Sequence, residues 1–195
     1  MQTIKILFAQ LKYLRIYHRQ KFVVDWIIPL ILTIISASVI MYFPVKMPIV
    51  GHNSLTYIVS ELCKVLVGFY IVFLIVVNTM ESKRLEEEFK GSNKPYYSYR
   101  INWEKEKKYP NRREFLSHLF GYLATLSMVL YFVSSLSQYF RNNITCFLKG
   151  VKHSNEIYIY AIRYPCLFVF LFLVFNLITV TLLGLYYMSQ RLYRE

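Results

Sequence analysis

Cysteine is scarce in this chain. Its three residues, Cys63, Cys146 and Cys166, form no close pair, which excludes a CxxC redox dithiol and a thiolate zinc site. They read as packed thiols, with a Cys146–Cys166 disulfide left open for an oxidising compartment. The four histidines, His18, His52, His118 and His153, are scattered without the HExxH spacing of a metallohydrolase. The six glycines build no phosphate-cradling loop. Acidic residues are few, 11 against 23 lysines and arginines. The one acidic run, Glu86-Glu87-Glu88, puts its carboxylates about 100° apart on a helix, where they diverge into a solvated face. No catalytic, metal or cofactor site is expected from these residues.

What the chain has is apolar length. Hydrophobic residues make up 56% of it, too many for an ordinary soluble domain. They gather in four runs near the roughly 20 residues that cross a bilayer as helix. The expected fold is an all-α, polytopic membrane protein. Residues 1–195 form one four-helix transmembrane domain, with spans at about 26–43, 57–80, 115–140 and 157–188 and a charged loop at 81–114. The N-terminus lacks the apolar sequel and cleavage site of a signal peptide, so the first span is expected to stay in place. No internal repeat points to the inverted halves of a transporter.

Charge orients the spans. The N-terminal segment, the central loop and the C-terminus hold seventeen cations between them, ten in the loop alone, against five in the two outer connections. The positive-inside rule then sets both termini in the cytoplasm. The same blocks favour anionic lipids and argue against direct nucleic-acid binding.

Residues 3–21 read as an amphipathic helix. Ile4, Leu7, Leu11 and Leu14 recur on one side, and Lys12, Arg15, Arg19 and Lys21 supply a lipid-surface side. Asp25 is expected to cap the first span, and Pro29 either falls in its first turn or kinks a longer helix. The second span reaches its length only by taking in Glu61 and Lys64, which share one helical face at i and i+3 and can partly neutralise one another. With Arg163 these make a candidate intramembrane polar cluster, the alternative being an outer headgroup position with Lys64 snorkelling. Helix then continues past Met80 toward Gly91. Asn111 to Glu114 resembles a capping box ahead of the third span. That span carries a small and hydroxyl stripe, Gly121, Ala124, Thr125, Ser127, Ser134, Ser135 and Gln138, read as packing or, less simply, as a pore lining. Asn176 and Asn78 read as interhelical hydrogen-bonding residues. The outer connection carries Asn143-Ile-Thr145, a glycosylation pattern relevant only in a secretory setting.

Between Ser92 and Tyr109 the loop reads as irregular, bracketed by Pro95 and Pro110. It interleaves aromatics with cations: Tyr96, Tyr97, Tyr99, Arg100, Trp103, Lys105, Arg112 and Arg113. Tyr, Trp and Arg commonly dominate protein interfaces, so these are the candidate partner-binding residues, although the same composition suits adsorption to a leaflet.

The whole-chain pattern of basic N-terminus, four spans, one charged loop and no enzymatic domain resembles the KwaA family, the small membrane subunits of bacterial Kiwa anti-phage systems. The resemblance implies a homo-oligomeric membrane sensor that pairs with a soluble cytoplasmic effector of the KwaB kind. The expected function is therefore a non-enzymatic inner-membrane subunit that oligomerises and recruits or regulates such an effector. The alternative is a small oligomeric ion channel or pore-forming effector.

Overall fold

The structure, a computed structural model, describes residues 9–17, 19–42, 54–81, 83–87, 95–101, 104–140 and 156–189. Trp103, Cys146, the 143–145 sequon, Gly91, Arg191 and Arg194 lie outside the described residues. So do the side chains of Arg19, Tyr99, Arg100, Lys105 and Arg163.

Four helices are long and apolar enough to cross a membrane. A 3-10 helix, Ala9–Arg15, leads into a two-residue strand β1, Ile16–Tyr17. Helix α1, Arg19–Phe22, runs through a π turn, Val23–Ile27, into α2, Ile28–Tyr42. After it come α3, Leu55–Thr79, and a short α4, Lys83–Glu86. Two strands follow, β2, Tyr96–Ile101, and β3, Glu104–Lys108. The chain then continues as α5, Arg112–Tyr139, and α6, Glu156–Ser189.

Each long helix starts or stops for a local reason. Ser54 caps α3 by accepting from the Tyr57 N–H at 3.3 Å. At Met80 the backbone turns extended, so α3 ends there; helix resumes over Lys83–Glu86, and the expected stop at Gly91 lies outside the described residues. Asn111 precedes α5, but its side chain makes no capping hydrogen bond, so the expected capping box is absent. In α6, Pro165 lies inside the helix.

Packing follows a seven-residue recurrence. Thr56, Cys63, Tyr70 and Val77 of α3 are buried, as are Leu116, Leu123 and Leu130 of α5. These two faces lie against one another, the arrangement that a heptad spacing favours. Phe73 stacks on Phe120 with centroids 5.0 Å apart. On the other side α2 packs on α6, and α6 closes on α5 through Leu177 and Val180. The Tyr70 and Thr181 hydroxyls bond at 2.5 Å and tie α3 to α6. At Gly184 a Cβ would stand 2.9 Å from Leu119 Cδ2, which marks a close approach of α6 to α5.

Three further expectations are corrected. The loop is not irregular, and the fold is not purely helical. Strands β1, β2 and β3 form an antiparallel three-stranded sheet in that order. The alternation Tyr97, Tyr99, Ile101 supplies the period of two and the aromatic and β-branched residues that a strand favours. Nor do residues 9–21 form one amphipathic α-helix, because Ile16 and Tyr17 leave the helical path to pair with Tyr97 and Tyr96. That break buries Tyr13 and Ile16, while Leu14 is exposed.

The 3-10 helix, the sheet, the C-terminal end of α3 and the N-terminal end of α5 share one end of the bundle. Phe115 and Tyr187, 5.4 Å apart, bring the last turns of α6 to the same end.

Candidate functional site

The densest polar constellation joins four segments at that end, and it starts from a proline. Pro29 has no N–H, so the Asp25 carbonyl has no donor four residues on. The helix meets this with a π turn, in which the Ile28 N–H reaches Val23 O. The Asp25 carbonyl accepts instead from Asn176 Nδ2 of α6 at 2.6 Å. Asn176 Oδ1 in turn accepts from the Tyr122 hydroxyl of α5 at 2.8 Å. One asparagine thereby links three spans.

The π turn also aims the Asp25 side chain inward, where it is buried. Its Oδ1 accepts from the Tyr13 hydroxyl at 3.0 Å, and its Oδ2 faces Lys21 Nζ at 3.1 Å. Lys21 Nζ also lies 4.1 Å from the centroid of the Tyr13 ring, and that ring stacks on Tyr122 at 5.1 Å. Burial, with the Asp25 carboxylate second, raises the Tyr13 phenol well above its ordinary range, so it stays a donor. Burial lowers Lys21, and Asp25 partly opposes that shift. A carboxylate held by a phenol and an ammonium is fully partnered. Its chemistry is that of a fastening between the N-terminal segment and the spans.

Two residues change role here. Lys21, expected on the lipid surface, is buried, because Asp25 one helical turn on compensates its charge. Asp25, expected as a helix cap, sits within the π turn. Lys12 and Arg15 remain exposed. Tyr13 and Tyr122 had no part in the sequence reading. Only the spacing of Asp25 four residues before Pro29, with an asparagine in a distant span, could have pointed to them.

Glu61 and Lys64 do pair, at 2.6 Å, but on the outward side of α3 with side chains 48% and 49% exposed. Lys64 stands 6.0 Å from the Tyr131 ring. The stripe of α5 is bonded internally at Thr125, Ser127 and Gln138, while the Ser134 hydroxyl is buried with no hydrogen-bond partner among the described residues. Thr125 donates to Gly121 O, Ser127 to Leu123 O, and Gln138 Nε2 to Ser60 Oγ across to α3.

The sheet is the remaining site. Tyr97 is buried with its ring edge-on to His118 of α5, centroids 6.2 Å apart. Tyr96 stacks on Tyr17 at 5.8 Å. Arg113 clamps the loop to the bundle, donating from Nη2 to the Met80 carbonyl at 2.6 Å, with Nη1 3.6 Å from Glu86. The Arg112 N–H donates to Glu87 O at 3.3 Å. Of the expected partner-binding residues, then, Tyr96, Tyr97, Arg112 and Arg113 are engaged within the chain.

Together these features define a four-span helical membrane protein with a small sheet fastened to one end. Comparison with protein-family models, curated proteins and solved structures finds no match.

Proposed function

We propose that the protein is a non-enzymatic, multi-pass subunit of an inner membrane that self-associates and recruits or regulates a soluble cytoplasmic effector. The setting is the anti-phage defence that the Kiwa resemblance implies. One observation carries this reading. The segment between the second and third spans contains the paired strands β2 and β3, packed on the bundle through Tyr97 against His118. A preorganised element loses little conformational entropy when a partner docks, so it suits recognition better than a slack connection does. Trp103, which falls between the two strands in the sequence, is the proposed aromatic anchor.

Self-association is supported by the Glu61–Lys64 pair, whose half-exposed charges interrupt an apolar span. A channel through one copy has less support, since Thr125 and Ser127 of α5 donate to their own backbone.

Native mass spectrometry after mild extraction, from cells that also express the neighbouring genes, tests the reading. A homo-oligomer carrying a stoichiometric soluble protein is expected, with capture weakened by Trp103→Ala while membrane insertion persists. A homo-oligomer without any partner, together with ion flux in liposomes, would replace this function with the channel.

A further inference from the structure

Helix α3 has two opposed faces. Cys63, Tyr70 and Val77 are buried against α5. Ile58, Val65 and Val72 each precede one of them by five residues, which sets them about 140° round the helix. All three are more than half exposed, and Leu62, Phe69 and Ile75 flank them on the same exposed side. Apolar residues alone would leave this face to lipid. Glu61 and Lys64 interrupt it: Glu61 stands between Ile58 and Val65, and Lys64, bonded to it, stands alongside with half of its side chain exposed.

Depth decides what that pair requires. Polar residues flank the apolar part of α3, Ser54 and Thr56 at one end and Asn78 and Thr79 at the other. The twenty residues 57–76 between them span roughly 30 Å, the thickness of the hydrocarbon. Glu61 then lies about 6 Å inside that layer and the Lys64 backbone about 10 Å inside. The Lys64 ammonium does not climb back to the surface. It lies 6.0 Å from the ring of Tyr131, which is eight residues, about 12 Å, short of the end of α5.

Half-exposed charges at this depth are costly against lipid, and such residues face protein or water as a rule. A protein that covers them has to be apolar along its length and to present both signs of charge at one level. A second copy of the chain meets both conditions. About a two-fold axis along the membrane normal, two parallel α3 helices bring two carboxylates and two ammoniums to the same depth. Each Lys64 can then bond its own Glu61 and that of the other copy. The seven-residue recurrence of Ile58, Val65 and Val72 fits the same arrangement, since β-branched residues at one heptad position favour a pair of parallel helices.

We infer that the outward face of α3, centred on Ile58, Glu61, Val65 and Val72, is where two copies of this chain pair in parallel and share their Glu61–Lys64 charges. This rests on the self-association proposed above and gives it a surface.

A charge-reversal cycle tests it, on full-length chains with two different affinity tags, co-expressed and purified through one tag in mild detergent. Glu61→Lys leaves only cations at this level and Lys64→Glu only carboxylates. Each variant should associate with itself about 3- to 20-fold more weakly than wild type does, the range for an interhelical polar contact in a membrane. Co-expressed with one another, the two variants should recover the wild-type yield. A charge pair that acts only within its own copy stays broken in both, so a cycle without rescue overturns the inference. Wild type that fails to associate overturns self-association and this surface together. Wild type that associates, with both variants unaffected, overturns the surface and leaves self-association standing. Should the reversal variants fail to insert, disulfide trapping decides, in chains with Cys146 and Cys166 replaced by serine. Val72→Cys should crosslink two copies, since a disulfide needs its Cβ atoms within about 4.5 Å. Leu182→Cys, exposed on α6, should not. Any pattern other than trapping at 72 alone overturns the inference.

Discussion

The hydrogen bond from Asn176 to the Asp25 carbonyl exists because Pro29 offers no N–H, and that dependence is measurable. Asn176→Leu substitutes an apolar side chain of similar size and removes two contacts, the 2.6 Å bond to Asp25 and the 2.8 Å bond from Tyr122. A buried polar group stripped of its partner costs about 1–3 kcal/mol. Interhelical bonds in membranes average nearer 0.6 kcal/mol, up to about 1.7. For the two contacts together, a loss of ~2 kcal/mol is expected. Pro29→Ala supplies the N–H that the Asp25 carbonyl lacks in its own helix. In the Pro29→Ala background, Asn176→Leu should therefore cost less by about 1 kcal/mol, the net value of one hydrogen bond. The four proteins of this cycle can be compared by reversible unfolding in mixed micelles, followed by tryptophan fluorescence. Distant, independent sites add within about 0.5 kcal/mol. A coupling inside that limit would refute the idea that Asn176 stands in for the missing proline donor.

Three further outcomes follow from neighbouring geometry. Lys21→Met or Asp25→Leu should each destabilise by about 3 kcal/mol by leaving one charge buried alone, while the double variant should lose less than either; additive losses would show that the 3.1 Å pair is not compensating. Gly184→Ala should lose ~1–3 kcal/mol, since its Cβ meets Leu119 Cδ2 at 2.9 Å, whereas Gly68→Ala, with nothing within 4 Å, should be neutral or gain; equal melting temperatures for the two would contradict the packing of α6 on α5. The Tyr13 phenol is raised above its ordinary 10.0, so its stabilisation is complete below that pH and is lost as pH rises beyond it. Wild type should accordingly lose stability more steeply above about pH 10 than Tyr13→Phe does, and parallel curves would count against the link to Asp25.

The spans were legible because bilayer thickness forces a long apolar run whatever packs against it. Ser54 and Met80 set the ends of α3 within two residues of expectation. The sheet was less legible. Pro95 and Pro110 pointed to a loop, while the alternation at Tyr97, Tyr99 and Ile101 was a strand signal overshadowed by charge. Its partner β1 has only two residues, too short for any periodicity to register. The polar network was illegible for a different reason. Tyr13, Asp25, Tyr122 and Asn176 are far apart in the chain and meet only once the helices pack. Periodicity predicts which side of a helix is apolar. It does not predict that a missing proline donor in one span will be answered by an amide 151 residues away.

The fastening and the sheet are also mechanically one unit. Tyr13, bonded to Asp25, lies three residues before Ile16, which pairs with Tyr97 in the sheet. Three residues span at most about 10 Å even when fully extended. The sheet therefore cannot shift by more than a few ångströms, along the membrane surface or away from it, without pulling on the Tyr13 hydroxyl or breaking the β1–β2 pair. At the other end of β2–β3, Arg113 ties the chain to the last carbonyl of α3. A ligand that moves the sheet must act on the first span through Asp25 and on the second through Met80. A ligand that merely rests on the sheet leaves both fastenings intact.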